Sequence, residues 1–308
     1  MEIFQKILVP IDGSLQSKIA QEMAVFVSTL FKSKVTLMHV VRNELIAFGG
    51  EVYMPRESFE PMTTGQIPRE LTLPQTRRSV FPDDVINEVT EEYWDKGETL
   101  LTEGVSMFAQ AGVSANKKLI DGKDIPDAIV AEVESGNYDL VIMGNSSGEE
   151  EAGLDLHLGS IAKKVSFSVK TPVMVVRKKN EVKKLLVPLD GSAKEGKALQ
   201  VAGQIAKTAG NAAILLHVQE KSLLKLRPEI NQIGLQIIEH ALPTFEGTQV
   251  EQKVIAGDPA KVIIQIAEQT DADLIIMTGG GHGAFRGLVG GVSDHVLHHA
   301  TVPVLLIK

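Results

Sequence analysis

The sequence contains no cysteine, which removes disulfides, thiolate nucleophiles, thiol redox chemistry and cysteine-ligated zinc from consideration. It has no apolar run of the roughly 18 residues that a membrane span needs, so no membrane partner is expected. No signal-peptide layout precedes the first predicted strand, Ile7-Leu8-Val9-Pro10, and a cytoplasmic location is the expectation. Basic residues are outnumbered: 31 Lys and Arg stand against 39 Asp and Glu, for a formal net charge of -8. Phosphate-backbone binding depends on Lys and Arg, so nucleic acid is not an expected partner. Two nucleotide signatures are also missing. The turn after the first strand reads Asp12-Gly13-Ser14, without G-x-G-x-x-G, and there is no P-loop.

What the chain does have, it has twice. Lys6-Ile7-Leu8-Val9-Pro10-Ile11-Asp12-Gly13-Ser14 returns as Lys184-Leu185-Leu186-Val187-Pro188-Leu189-Asp190-Gly191-Ser192. Leu37-Met38-His39-Val40 returns as Leu215-Leu216-His217-Val218, and Asp139-Leu140-Val141-Ile142-Met143 as Asp273-Leu274-Ile275-Ile276-Met277. Each half closes on an apolar strand after proline, Pro172 to Val176 and Pro303 to Ile307. A unit of this length is a domain and not a solenoid repeat, and 308 residues suit two of them. The first domain is placed at residues 1–178, a linker at 179–183 and the second domain at 184–308.

Short continuous apolar runs such as Leu185-Leu186-Val187 read as strands buried on both faces of a parallel sheet. Apolar residues at three-to-four spacing predict helices at Lys18 to Phe31, Asp83 to Gln110, Ile125 to Glu134, Gly196 to Thr208, Pro228 to Leu242, Pro259 to Glu268 and Val292 to His299. Strands alternate with them, which predicts a doubly wound α/β sheet in each half with ligands beyond the carboxyl ends of its strands. The two last strands are expected to pair and so protect both edges. The first half runs about forty residues longer than the second between its strand-two histidine and Gly122. This insertion, residues 42–82, carries five prolines and four arginines beyond Arg42 and is read as a lid or docking segment.

Candidate chemistry gathers at that carboxyl edge. Gly279 to Gly291 is glycine-rich and runs into a helix N-terminus, an arrangement that offers backbone N–H groups and a positive dipole end to an anion. Its first-half counterpart carries Glu149-Glu150-Glu151, which should repel a phosphate chain. Asp12 and Asp190 stand where helices start, and an N-terminal cap is their non-ligand reading. His295, His298 and His299 share one helix face at metal-ligand spacing, but a metal site is not favoured. His39 and His217 read as satisfied core imidazoles. No nucleophile or general base is positioned, so no catalytic residue is assigned.

In this order, and twice, these motifs resemble the universal stress protein family in its tandem form. The resemblance implies a five-stranded parallel sheet in each half, of the adenine nucleotide alpha hydrolase-like class, and in one branch ATP at the carboxyl edge. The Asp after strand one would then meet adenine, and the Val after the strand-two His would flank it. A G-x-x-G-x9-G-[ST] loop would wrap ribose and phosphates. Carried over, the second-half positions are Pro188, Asp190, Val218, Met277, Thr278, Gly280, Gly283, Gly290, Gly291 and Val292. The first-half positions are Pro10, Asp12, Val40, Met143, Gly144, Gly159 and Ser160. Gly290-Gly291 arrives three residues early and lacks the hydroxyl, while Gly159-Ser160 arrives two residues late.

The function implied is binding of an adenine nucleotide (ATP, ADP or AMP) as a conformational ligand in the stress response, with the second half favoured over the first. Magnesium is left open as its companion, and slow ATP hydrolysis is the most that is expected of it as an enzyme. The partners implied are the nucleotide, an unidentified protein, and each half for the other as a pseudo-dimer, with a homodimer left open. The alternative reading is a scaffold or chaperone-like module that binds no nucleotide.

Overall fold

The structure, a computed structural model, describes residues 3–42, 83–145, 158–178, 181–219, 230–279 and 291–308. The first half contains β1 (Lys6–Pro10), α1 (Leu15–Phe31), β2 (Lys34–Arg42), α2 (Asp83–Gln110), β3 (Ala115–Gly122), α3 (Ile125–Gly136), β4 (Leu140–Gly144), α4 (Ser160–Ser168) and β5 (Val173–Val176). The second contains β6 (Lys184–Leu189), α5 (Glu195–Ala209), β7 (Ala212–Gln219), α6 (Ile230–Ala241), β8 (Val250–Ala256), α7 (Pro259–Gln269), β9 (Leu274–Thr278), α8 (Val292–His299) and β10 (Val304–Ile307). A 3-10 turn at Leu242–Phe245, which the sequence reading missed, follows α6 and buries Phe245.

All ten strands form one sheet in the order β3-β2-β1-β4-β5-β10-β9-β6-β7-β8. Within each half every pairing is parallel. Among the described residues the only sense reversal is at the seam, where β5 and β10 run antiparallel with Val175 opposite Val304, Met174 opposite Leu305 and Val173 opposite Leu306. Counted from Pro172 and Pro303, Met174 and Leu305 occupy the same repeat position. A pseudo-twofold axis therefore passes between them, and the seam is self-complementary in the manner of an isologous dimer interface. Pairing of the last strands, expected from their apolar composition, is the observed arrangement.

Alternation along each strand builds two cores, one per face. Ile7, Val9, Met174, Leu185 and Leu305 point to the face covered by α1, α2, α5 and α6, where Phe108 and Phe245 are also buried. Leu8, Val173, Val175, Leu186, Val304 and Leu306 point to the face of α3, α4, α7 and α8. Both cores run through both halves without a break. Because β5 and β10 are antiparallel, the carboxyl ends of β1 and β4 face one end of the molecule and those of β6 and β9 face the other. The two expected clefts are therefore remote from one another. The proposed lid, beyond Arg42 at the end of β2, lies outside the described residues, as do Glu149 to Glu151 and Gly280 to Gly290.

Val175 and Leu305 are fully buried at the seam on opposite faces. Replacing both with Lys places two unpaired charges in the core, a penalty of several kcal/mol. The double variant is expected to open the sheet at the seam and raise the radius of gyration measured by X-ray scattering. A folded double variant as compact as wild type would show that the seam does not hold the halves together.

Candidate functional site

The site begins with the turn after each first strand. Asp12 Oδ1 accepts the Ser14 N–H at 3.0 Å and Asp190 Oδ1 accepts that of Ser192 at 2.8 Å. The residues between, Gly13 and Gly191, have φ of 84° and 76°, a left-handed conformation that glycine adopts without penalty. The helix cap in the first half is Ser14, whose hydroxyl accepts from Ser17 N at 3.1 Å. The aspartate is thus the acceptor of the turn and not the helix cap, which corrects the capping alternative. Each strand-two histidine braces the same turn. Nδ1 of His39 lies 2.8 Å from the carbonyl of Ile11, and Nδ1 of His217 lies 2.9 Å from that of Leu189. A carbonyl can only accept, so Nδ1 carries the proton in both.

In the first half these elements enclose a cavity of about 220 Å³ between the carboxyl ends of β1, β2 and β4 and the starts of α3 and α4. Pro10, Asp12, Val40, Met143, Gly144 and Gly159 all line it, and Ser160 stands next to Gly159 without lining it. The remaining wall was not anticipated. It comes from Ile125 and Ile129 of α3, from Ile161 and Ala162 of α4, from Asn145, and from Ile11, Ser17, Met38 and His39 around the first two strands. The apolar stripe of α3 was legible, but which part of it faces the cleft and which the sheet depends on how the helix packs. Asn145 is 3% exposed and its Oδ1 has no hydrogen-bond partner among the described residues. Gly159, the N-cap of α4, supplies no side-chain cap, so the first amides of that helix lack a side-chain acceptor.

In the second half Pro188, Asp190, Val218, Met277, Thr278, Gly291 and Val292 lie along the equivalent edge, at the ends of β6, β7 and β9 and the start of α8. Gly280, Gly283 and Gly290 lie outside the described residues. Two exchanges separate the clefts. A Cβ on Gly144 would meet the Gln16 backbone at 2.9 Å, so that position must be glycine. Its counterpart is Thr278, which fits because α5 begins at Glu195, two residues later relative to the aspartate than α1 does. Where Ser17 Oγ accepts the Asp12 amide at 3.3 Å, Glu195 Oε1 instead accepts the amides of Asp190 and of Gly191, the latter at 3.1 Å.

Glu195 is therefore an internal carboxyl, 8% exposed, set against the Asp190-Gly191 turn. Loss of hydration raises its carboxyl to about 7, and the neighbouring Asp190 adds to the rise. At Asp190 burial also favours the neutral form, but hydrogen bonds from Ser192 outweigh it and hold that carboxyl below the ordinary range. On α8, His298 Nδ1 bonds the Asp294 carbonyl at 2.8 Å, and the rings of His295 and His299 lie 4.4 Å apart.

The raised Glu195 carboxyl means that the folded protein holds a proton the unfolded chain releases near its ordinary 4.5. The associated stability is complete below that value and declines as pH rises toward and through about 7. Glu195→Gln keeps the acceptor for both amides and removes the charge. Relative to Glu195→Gln, wild type is expected to lose on the order of 1 kcal/mol of urea-unfolding stability between about pH 5 and 8. Parallel pH profiles for the two proteins would show that the carboxyl is not shifted.

The family model for the universal stress protein family matches residues 3–177 and again residues 181–308. Universal stress protein Slr1230 of Synechocystis is 26% identical over 218 residues, which is 69% of this chain and 72% of that protein. Universal stress protein MJ0531 of Methanocaldococcus jannaschii is 30% identical over 143 residues, 42% of this chain and 84% of the relative. Among solved structures, a universal stress protein from Archaeoglobus fulgidus aligns over 100% of this chain and 98% of its own with a TM-score of 0.68 at 22% identity, a likeness of fold. With two family matches filling two doubly wound halves, the chain belongs to the universal stress protein family.

Proposed function

We propose that the protein binds an adenine nucleotide as a conformational ligand, with the base in the first-half cavity. The observation that carries this reading is the half-open, largely apolar cavity at the carboxyl edge, lined by six of the seven first-half positions expected to contact the ligand. At about 220 Å³ it is smaller than the ~300–1,000 Å³ of sites that engulf a drug-sized ligand, which suits a base with its ribose and phosphates outside. Val40, Met143 and Ile129 supply apolar walls for a flat ring. Asn145 supplies a buried acceptor that has no partner among the described residues. The open first turn of α4 then faces the phosphates with its amides and dipole, which in this reading outweigh the repulsion expected of Glu149 to Glu151, residues outside the described ones.

Among the described residues Asp12 is the one carboxylate lining this cavity, and it already accepts the Ser14 amide. The described residues form no cage for a metal ion, and a magnesium ion accompanying the nucleotide would be held by its phosphates. The second half keeps Asp190 and Val218 in the corresponding places, but there Glu195 adds a second carboxyl beside Asp190. The sequence favoured the second half for its glycine loop before α8; the Glu195 carboxyl beside Asp190 and the first-half cavity turn the proposal to the first half instead. The nucleotide acts by favouring one arrangement of the helices around its cleft, which changes the surface offered to a protein partner.

Calorimetric titration with ATP tests the reading. Ala162 is 2% exposed and lines the first cavity, so Ala162→Leu fills that space from the wall. The variant is expected to bind at least ~10-fold more weakly, about 1.4 kcal/mol, with thermal stability retained. Asp190→Ala is expected to leave the first-half affinity unchanged. No binding by wild type up to millimolar ATP would overturn the proposal in favour of a scaffold that takes no nucleotide.

A further inference from the structure

One buried and one half-buried cation cross the seam in opposite directions. Arg177 follows β5 and is 6% exposed, and its Nη2 donates to the carbonyl of Leu297 in α8 of the second half. Lys308 follows β10, and its Nζ donates to the carbonyl of Ser166 in α4 of the first half at 2.6 Å. The two contacts are equivalent under the repeat. Arg177 and Lys308 each stand five residues after Pro172 and Pro303, and Ser166 and Leu297 each stand six residues before them. Each cation thus reaches a carbonyl near the C-terminus of the other half's last helix, the end whose dipole attracts positive charge.

Neither cation has a carboxylate partner among the described residues, and Nε and Nη1 of Arg177 have no acceptor there. Burial accordingly pushes Arg177 down to about 10 and Lys308 down to about 8. Such groups are held by the fold against a desolvation penalty, with no ion pair to offset it. Lys308 Nζ also sits 5.7 Å from the centroid of the Phe167 ring, on the same helix it holds.

What lies behind each cation connects it to a cleft. Asn145, which lines the first cavity, donates its N–H to Val176, the neighbour of Arg177, at 3.0 Å. Gly279, where the second half's glycine-rich run begins, donates its N–H to Ile307, the neighbour of Lys308, at 2.8 Å. A Cβ on Gly279 would stand 3.2 Å from Lys308 Nζ, so the loop start and the cation are in contact distance. At its other end α4 lines the first cavity through Ile161 and Ala162, and α8 starts at Gly291 where the second loop ends.

We propose that Arg177 and Lys308 are reciprocal latches that couple the two clefts, each tying the strand-four exit of its own half to the last helix of the other. A shift of α4 in the first half moves the Ser166 carbonyl, and with it Lys308 and the start of the second half's loop. A shift of α8 acts on the first half through Arg177. Coupling of this kind needs a continuous packed route between sites, and here each route is one helix and one hydrogen bond.

Amide exchange of the full chain, read by mass spectrometry, tests the proposal, which depends on the nucleotide reading in one arm only. Without ligand, Lys308→Met, a change in the second half, is expected to speed exchange at least three-fold in first-half residues 162–169. Arg177→Met is expected to do the same in residues 293–300. Lys308→Arg, which keeps the donor, is expected to exchange like wild type. Effects confined to the half that carries the substitution overturn the proposal. If Arg177→Met fails to fold, Lys308→Met, at the less buried site, decides alone.

In the second arm ATP is added to wild type and to Lys308→Met. Slowed exchange in residues 274–279 and 291–299 of wild type is expected to vanish in the variant, while protection around residues 125–129 persists. Remote slowing that survives in Lys308→Met overturns the coupling. If ATP protects neither half, the nucleotide reading fails, and the ligand-free arm decides the latches on its own.

Discussion

The antiparallel pairing of β5 with β10 is the constraint on which the rest of the molecule depends. Each half alone would be a five-stranded parallel sheet with an apolar edge strand at one side, four residues long and wholly buried in the observed structure. An exposed apolar edge invites association with other chains. Pairing the two edges removes that liability and makes one ten-stranded sheet with an uninterrupted core on each face. It also fixes the placement of function. An antiparallel seam sends the carboxyl edges of the halves to opposite ends, so two clefts built from the same sequence motif cannot share a ligand.

The pseudo-symmetry of the backbone does not extend to the chemistry of the clefts. In the first half Ser14 caps α1 at once, the helix starts close behind the Asp-Gly-Ser turn, and the strand-four exit must be Gly144 because Gln16 crowds it. In the second half α5 starts later, Thr278 occupies the freed space, and Glu195 folds its carboxylate back onto the turn amides. One scaffold thereby sets a neutral hydroxyl, Ser17, behind one turn and a desolvated carboxyl, Glu195, behind the other. The difference in helix start is two residues, and its electrostatic consequence is a carboxyl raised to about 7.

The same backbone reading explains why Asp12 and Asp190 are retained in both halves independently of any ligand. Each accepts the amide that closes the turn, and each strand-two histidine braces the carbonyl on the other side. The turn is therefore rigid before a ligand arrives, which favours binding because less ordering remains to be done.

Much of this was legible in the sequence because it is local. Apolar runs of four to six residues and helical stripes at three-to-four spacing set the elements. Duplication set the domain plan, and two apolar strands after proline indicated which edges would meet. The residues of the first cavity that follow strands, Pro10, Asp12, Val40, Met143 and Gly144, were legible for the same reason: position after a strand in a doubly wound sheet already places a residue at the carboxyl edge. Only the tertiary structure decided that Ile125, Ile129 and Asn145 close the cavity, that Glu195 answers the Asp190 amide, and that Arg177 and Lys308 hold each other's helices. These depend on the rotation of a helix about its axis, on where a helix takes its first turn, and on contacts across the seam between residues more than a hundred positions apart. No periodicity records such distances, because they are set by how packed faces come to rest on one another.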